Sequence, residues 1–264
     1  MIGAQMIGSL RSVYRYRELL WALVLRNLKV KYQSSLLGFF WTMLNPILTA
    51  SVLIVVFTNV VKIQIPNYWA FLMSGYFAWN FMAQCLNAAT YTLGEHGPLA
   101  RSIAFPQEVL IISTTISRLI EFTVELLLTM IVLAVALHGR VPPSYAAVPL
   151  LVVLQFILCL GLQLPVAALS VFFKDVQHAL PIAIATLFYV SPVFYAADFV
   201  PDWMHEVYLL NPIARLLTLY HETIYKGMLP SVEEWGAAAA FSLLTFLVTY
   251  SIFNRYKHLF AEVL

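Results

Sequence analysis

The chain alternates between long apolar runs and short polar connections. A helix needs about 20 apolar residues to cross the hydrocarbon core of a bilayer. Six runs meet that length, at residues 37–61, 69–92, 109–137, 146–173, 179–197 and 236–254. They are continuous, whereas a transmembrane barrel shows alternating segments of about ten residues. The pattern predicts an all-α membrane protein whose six transmembrane helices form a domain at 36–264.

The polar residues between these runs predict the orientation. Cytoplasmic connections carry an excess of Lys and Arg. Ten of these cations lie on the side of the two termini and four on the opposite side. Both termini are therefore expected in the cytoplasm.

Residues 1–35 form a separate basic segment before the first predicted span. Apolar or aromatic side chains recur there at about the helical period of 3.6. They stand at positions 10, 13, 14, 20, 21, 24, 25 and 28. The pattern predicts an amphipathic helix in the cytoplasmic interface of the membrane, with its basic face toward anionic headgroups. A soluble juxtamembrane helix is the alternative.

The connection between the fifth and sixth spans, 198–235, is too apolar for a freely solvated loop. Asn211 and Pro212 interrupt it, so it does not read as a further pair of spans. Two short helices that enter the outer leaflet and are sheltered by other helices would satisfy this pattern. We therefore expect a re-entrant periplasmic segment.

Composition supports a membrane class and argues against an enzyme. Of 264 residues, 61% are hydrophobic and 11% are charged, and the mean hydropathy is +0.83. Soluble domains carry about 25% charged residues. The net charge of +2 does not indicate a nucleic-acid partner. The chain has no phosphate-binding G-x-x-x-x-G-K-[ST] loop, no G-x-S-x-G motif and no histidines at metal-ligand spacing. No cofactor or metal is expected in this chain.

Charged residues inside the third span are candidates for function, because they are costly in a membrane. Arg118, Glu121 and Glu125 share one helical face through spacings of three and four. A proton relay or a substrate site is one interpretation. A self-neutralising set that packs against other helices near the cytoplasmic side is the other.

The stretch RNLKVKYQSSLLGFFWTMLNP, residues 26–46, places cations directly before an aromatic run. It resembles the signature of ABC-2 type permeases that export polysaccharides such as O-antigen, capsule and teichoic acid. The matching positions are Arg26, Asn27, Leu28, Lys29, Lys31, Tyr32, Leu37, Gly38, Trp41, Asn45 and Pro46. Asn27 departs from the pattern, since many relatives carry an acidic residue there. Phe105-Pro106, Lys174-Asp175 and Asn211-Pro212-Ile213 resemble further landmarks of the family, and the resemblance spans the whole chain.

The resemblance implies a subunit of the bacterial inner membrane that forms a homodimer with two copies of a separate ATPase. The ATPase would bind ATP and Mg, and the dimer would enclose a channel for an undecaprenyl-diphosphate-linked polysaccharide. An exporter of a small hydrophobic drug or lipid is the alternative within the family. A secondary transporter with Glu121 or Glu125 as proton carrier is a third hypothesis, although inverted repeats are not evident.

Candidate residues follow from the same resemblance. Contacts to the membrane lipid and the diphosphate headgroup are assigned to Arg15, Arg17, Arg26, Lys29 and Lys31. Aromatic rings stack on the apolar faces of sugars, and the candidates for a glycan path are Phe39, Trp41, Tyr76 and Tyr195. Contacts to the ATPase through the two cytoplasmic loops are assigned to Arg101, Phe105, Pro106, Lys174 and Asp175. From the residues alone, these loops could equally be ordinary connections.

Overall fold

The computed structural model describes residues 13–33, 40–95, 105–201 and 210–260. These ranges are helical and contain no β-strand. In chain order the α-helices are α1 Arg17–Tyr32, α2 Phe40–Val55, α3 Tyr68–Glu95, α4 Glu108–Leu133, α5 Val148–Phe172, α6 Val176–Val190, α7 Pro212–Tyr220 and α8 Val232–Tyr256. Single π-helical turns extend α2 through Val56–Val60, α4 through Ala134–His138 and α7 through His221–Tyr225.

Each predicted span contains a helix, which confirms an all-helical membrane fold. Four helical segments within the described ranges are long and apolar enough to cross a membrane: Met43–Val60, Glu108–Leu137, Pro143–Phe172 and Val232–Tyr256. The 28-residue α3 is long enough but less apolar. The 15-residue α6 extends about 22 Å, against a hydrocarbon core of about 30 Å. The number of six spans stays a prediction.

The fifth predicted span, 179–197, runs too far at its C-terminal end, because α6 ends at Val190. Ser191 is extended, with φ −100° and ψ 150°, and it precedes Pro192. A residue before proline avoids the helical region, and proline has no N–H to continue a helix. The apolar pattern continues past this point, but the helical conformation of the backbone ends at Val190.

α3 lies at the centre of the bundle and contacts α2, α4, α5, α6 and α7. A first apolar cluster surrounds α3 from Tyr68 to Leu86, close to the connections at 61–67 and 191–200. A second cluster surrounds the C-terminal part of α3 and joins α1, the start of α4 and the ends of α5 and α8. We call these the outer and the inner cluster. They lie at opposite ends of α3.

The outer connection folds against the bundle as an N-capped helix. The side chain of Asn211 accepts a hydrogen bond from the backbone N–H of Ile213 at 3.0 Å, which begins α7. The apolar side chains of α7 are buried: Ile213, Ala214, Leu216, Leu217, Leu219 and Tyr220. Burial against protein explains why this connection is so apolar. Its depth in a bilayer stays a prediction, and residues 202–209, where part of the segment falls, lie outside the described ranges.

Candidate functional site

α1 rests on α4 through one apolar face. Leu20, Leu23 and Val24 are buried in the inner cluster, which also contains Val109 at the start of α4. The hydroxyl of Ser117 in α4 donates to the carbonyl oxygen of Val24 at 3.3 Å. The amphipathic segment is therefore attached to the bundle and does not stand apart from it.

A second group of apolar side chains on α1 and just before it is exposed. Tyr14, Trp21, Leu25 and Val30 are each more than half exposed. The sequence pattern predicts one apolar face for this segment, and the structure corrects this prediction, because the apolar positions divide into two groups. One set packs on protein. The other is an exposed aromatic and aliphatic surface beside cations, which is the chemistry of a helix in a membrane interface.

The cations assigned to headgroups differ in their surroundings. Arg15, Arg17, Arg26 and Lys29 are exposed, and the guanidinium of Arg17 lies 5.0 Å from the centroid of the Tyr14 ring. Lys31 instead turns toward α4. Its Nζ lies 2.9 Å from Oε1 and 2.8 Å from Oε2 of Glu121. Burial and the nearby Arg118 lower the pKa of Lys31, while the bond to Glu121 opposes this shift.

Arg118 completes an ionic group around Glu121. Its Nη1 lies 3.3 Å from Oε2 of Glu121 and donates to Oε1 of Gln84 in α3 at 3.0 Å. The Glu121 side chain is only 5% exposed. The prediction of a self-neutralising set in the third span is correct for Arg118 and Glu121. It is incomplete because Lys31 joins the set from another helix.

These side chains line a cleft of about 380 Å³ between α1, α3 and α4. Its charged lining residues are Arg26, Lys31, Glu95, Arg118 and Glu121. Three cations and two carboxylates leave an excess of one positive charge. Ligand sites in proteins commonly measure about 300–1,000 Å³. By volume and by charge, the cleft suits a small anionic group.

The aromatic residues assigned to a glycan path lie in different surroundings. Phe39 lies outside the described residues. Trp41 in α2 is 52% exposed, and Tyr195 is partly exposed, with its ring centroid 5.0 Å from that of Phe194. Tyr76 is buried in the outer cluster at 7% exposure. The structure therefore presents two of the four rings at the surface of the subunit, and all four assignments stay predictions.

The predicted coupling loops are only partly described. Arg101 lies outside the described residues. Phe105 packs against the inner cluster, and the carbonyl oxygen of Pro106 accepts a bond from the backbone N–H of Val109 at 3.0 Å. Lys174 and Asp175 are exposed in the turn between α5 and α6. Phe105, Pro106, Lys174 and Asp175 lie at the end of the bundle that holds α1 and the inner cluster.

One ion pair at this end was not predicted from the sequence. Nζ of Lys257 lies 2.8 Å from Oε1 of Glu108, whose side chain is 2% exposed. Glu108 begins α4 directly after the Phe105-Pro106 landmark, and Lys257 follows α8. The only signal in the sequence was an acidic residue behind the loop and a basic tail. Their pairing across 149 positions has no local signature.

Groups of three or more His, Cys, Asp or Glu that could hold a metal ion do not occur in the described ranges. Cys85 and Cys159 are buried free thiols. The chemistry of the site is therefore that of cations, carboxylates and apolar surface.

Comparison with known protein families matches residues 18–225 to the ABC-2 type transporter family. The chain belongs to this family. The match covers most of the chain, from α1 to the π-helical turn after α7. With its apolar helices, this ABC-2 protein is a multi-pass membrane protein of a transporter family.

Individual relatives extend the similarity to nearly the full length. The chain is 34% identical to the O-antigen export system permease protein RfbA of Myxococcus xanthus, over 97% of this chain and 99% of the relative. It is 28% identical to the RfbA protein of Klebsiella pneumoniae, over 94% and 95%. It is 21% identical to the polysialic acid transport protein KpsM of Escherichia coli, over 88% and 91%.

Proposed function

We propose that the chain is the transmembrane permease subunit of an ATP-driven ABC exporter. Its cargo is an undecaprenyl-diphosphate-linked, O-antigen-like polysaccharide, which it moves from the cytoplasm across the bacterial inner membrane. The similarity to permeases named for O-antigen export, at 34% identity over nearly both full lengths, carries this proposal. The more distant similarity to a polysialic acid transport protein agrees with a polysaccharide as cargo.

The proposed assembly is a homodimer with two copies of a separate ATPase, which binds ATP and Mg. Each subunit has six spans, a re-entrant outer segment and both termini in the cytoplasm. Two helices support a second copy of the chain, because most of their apolar surface is exposed in the single subunit. Only 11% of the apolar stretch Met43–Val60 is buried, and Ile182 and Tyr189 of α6 are 71% and 67% exposed. Such surfaces need lipid or a partner.

The proposed headgroup site is the cationic cleft with the exposed cations of α1 and of the residues just before it. A diphosphate accepts charge-assisted hydrogen bonds from Lys and Arg. Arg26 and Lys31 line the cleft, and Arg15, Arg17 and Lys29 support the approach of the lipid from the interface. Trp41, which is exposed, and Tyr195, which is partly exposed, are the accessible candidates for contact with sugar rings.

ATPase movements are proposed to reach the spans through the two cytoplasmic loops. Phe105 and Pro106 lead directly into α4, and Lys174 and Asp175 join α5 to α6. The second loop is also connected to α3. Nε2 of Gln177, at the start of α6, donates to the carbonyl oxygen of Thr90 in α3 at 3.3 Å. Force on either loop therefore acts on a helix end. Arg101 belongs to the first loop.

The test is deletion of this gene in its native bacterium, followed by measurement of surface polysaccharide. We expect surface polysaccharide to be lost and lipid-linked glycan to accumulate inside the cell. The wild-type gene should restore export, and it should fail to do so when the partner ATPase is removed. Normal surface polysaccharide in the deletion strain, with increased sensitivity to hydrophobic compounds, would instead identify an exporter of small molecules.

A further inference from the structure

We infer that Glu121 is an internal counter-anion, which phosphate oxygens displace from Lys31 and Arg118 when a phosphate-bearing headgroup enters the cleft. The inference rests on the proposed function, because that function brings such a headgroup to α1. It assigns to the carboxylate in the third span the role of holding α1 in place until the ligand arrives.

The geometry shows one carboxylate shared between two cations. Both oxygens of Glu121 lie within 2.9 Å of Nζ of Lys31, and Oε2 also lies 3.3 Å from Arg118. A phosphate group offers more acceptor oxygens and more negative charge than one carboxylate. Arg binds phosphate through a planar fork and Lys binds it as a point charge, so both are suited to this exchange.

Exposure decides which groups can move toward a ligand. The side chain of Glu121 is 5% exposed, whereas those of Lys31 and Arg118 are 33% and 26% exposed. All three side chains line the cleft, but the carboxylate on α4 is nearly buried, while the two cations are more exposed. A lysine ammonium stands on a flexible four-carbon stem, so Lys31 can leave the carboxylate without a change in the backbone of α4.

The position of Lys31 connects this exchange to movement of α1. Lys31 is the penultimate residue of α1 and lies beyond its apolar contacts: Leu20, Leu23 and Val24 are buried nearer the other end, and the partly buried Leu28 is the last to pack on the inner cluster. Loss of the bond to Glu121 therefore removes a contact between the C-terminal end of α1 and α4 and leaves the apolar contacts of α1 intact. That end leads toward α2, where the first span begins.

The experiment uses the full chain with its ATPase partner in nanodiscs of neutral lipid. Spin labels at Gln33→Cys and Leu127→Cys, both exposed positions, report the distance from the end of α1 to α4. We expect farnesyl diphosphate to lengthen this distance and farnesol to leave it unchanged. Repeating the measurement in nanodiscs of phosphatidylglycerol distinguishes two sources of the displacing phosphate, the bulk lipid headgroups and the carrier lipid. A shift with this lipid alone assigns the displacing phosphate to bulk headgroups, and a shift with the diphosphate alone assigns it to the carrier lipid.

Glu121→Gln removes the competing anion. We expect it to bind farnesyl diphosphate about tenfold more tightly and to show the lengthened distance without ligand. A merely structural carboxylate would give weaker binding when removed. Lys31→Met provides a second variant that leaves Arg118 beside Glu121. It should show the lengthened distance without ligand, no further change on adding ligand, and weaker binding.

Two further variants serve as controls. Lys31→Arg keeps the charge and should restore both the ligand-free distance and its response. Lys226→Gln removes one cation from the Lys226–Glu222 pair at the opposite end of α3 and should behave as wild type. An unchanged distance with farnesyl diphosphate, or unchanged affinity in Glu121→Gln, overturns the inference. If the protein exports polysaccharide but the spin-label distance does not respond to ligand, this inference is wrong and the proposed function stands. If the distance responds but no polysaccharide is exported, only the proposed cargo is wrong.

Discussion

The imidazole of His221 lies stacked on the ring of Phe71, with the ring centroids 4.0 Å apart and the planes 11° from parallel. Nε2 of His221 donates to the carbonyl oxygen of Pro192 at 2.8 Å, because a carbonyl can only accept. In the neutral ring, Nδ1 is then an acceptor 2.8 Å from the hydroxyl of Ser74, whose single proton is shared with the carbonyl oxygen of Phe71 at 2.7 Å. One buried side chain thus joins α3, the turn after α6 and the π-helical turn after α7.

This arrangement predicts that acid weakens the outer end of the bundle. Burial is the main cause that lowers the pKa of His221, from its ordinary value of 6.5 to about 4. Its contribution to stability is therefore complete above pH 6.5 and is lost as the pH falls toward 4. The loss is at most about 3 kcal/mol.

Thermal unfolding in detergent at pH 7.5 and pH 4.5 measures this contribution. His221→Gln should be less stable than wild type at the higher pH and should lose less stability on acidification. Other groups also titrate in this range, so the comparison is the difference between the two proteins. An equal loss of stability on acidification in both proteins would show that folding does not lower the pKa of His221.

A methyl group at Gly75 should disturb the same contact. A Cβ on Gly75 would lie 2.6 Å from Cε1 of His221, closer than real Cβ contacts allow. The ring is held on three sides, so we expect Gly75→Ala to destabilise the protein by about 2 kcal/mol. Gly94→Ala is the matched control in the same helix, because nothing lies within 4 Å of its Cβ position. The measurement is the melting temperature of each purified variant, and similar values for both would contradict the prediction.

The Glu108–Lys257 pair should stabilise the inner cluster. Lys257→Met would remove the Lys257 ammonium from the Glu108 carboxylate, which is 2% exposed. We expect a loss of about 2 kcal/mol in the free energy of unfolding, since the lysine side chain is one-third exposed. The double variant Glu108→Gln, Lys257→Met should recover most of this loss. A double-mutant cycle on unfolding in detergent gives the coupling energy, and additive effects would rule out a stabilising pair.

The exposed cations at the start of α1 and just before it should affect substrate affinity and leave stability unchanged. The double variant Arg15→Gln, Arg17→Gln should weaken the apparent affinity for lipid-linked glycan by about 1 kcal/mol per charge. Arg255→Gln removes an exposed cation from α8 and serves as the control. The measurement is the glycan concentration that gives half-maximal ATPase stimulation in proteoliposomes. High salt should reduce the difference in apparent affinity between the variant and the wild type, because salt screens exposed charges. A difference in affinity that does not depend on salt would contradict a headgroup role.

Much of the helical framework was predictable because it follows from local pattern. A helix lies within each of the six apolar runs, and the apolar side chains of α7 in the outer connection are buried. The end of α6 was missed because Ser191 and Pro192 break the helix inside a run that stays apolar. Hydrophobicity reports burial, whereas the helix boundary depends on backbone geometry.

For the site, the cationic segment at 26–31 and the charged face of the third span were visible separately. Their contact was not, because Lys31 and Glu121 are 90 residues apart. The division of the apolar positions of α1 between protein and an exposed surface also required the partner helix. The burial of Tyr76 in the outer cluster was likewise not predictable, since its sequence context does not reveal it.

The sequence by itself determined that this is a helical membrane protein of the ABC-2 type, with a basic helix before its first span. Apolar periodicity and a 21-residue signature are local properties of the chain, and both can be read without a fold. Only the tertiary structure decided that Glu121 holds Lys31 and Arg118, that Lys257 pairs with Glu108, and that His221 joins three segments. These contacts depend on how helices pack, because packing brings distant side chains together and removes them from water.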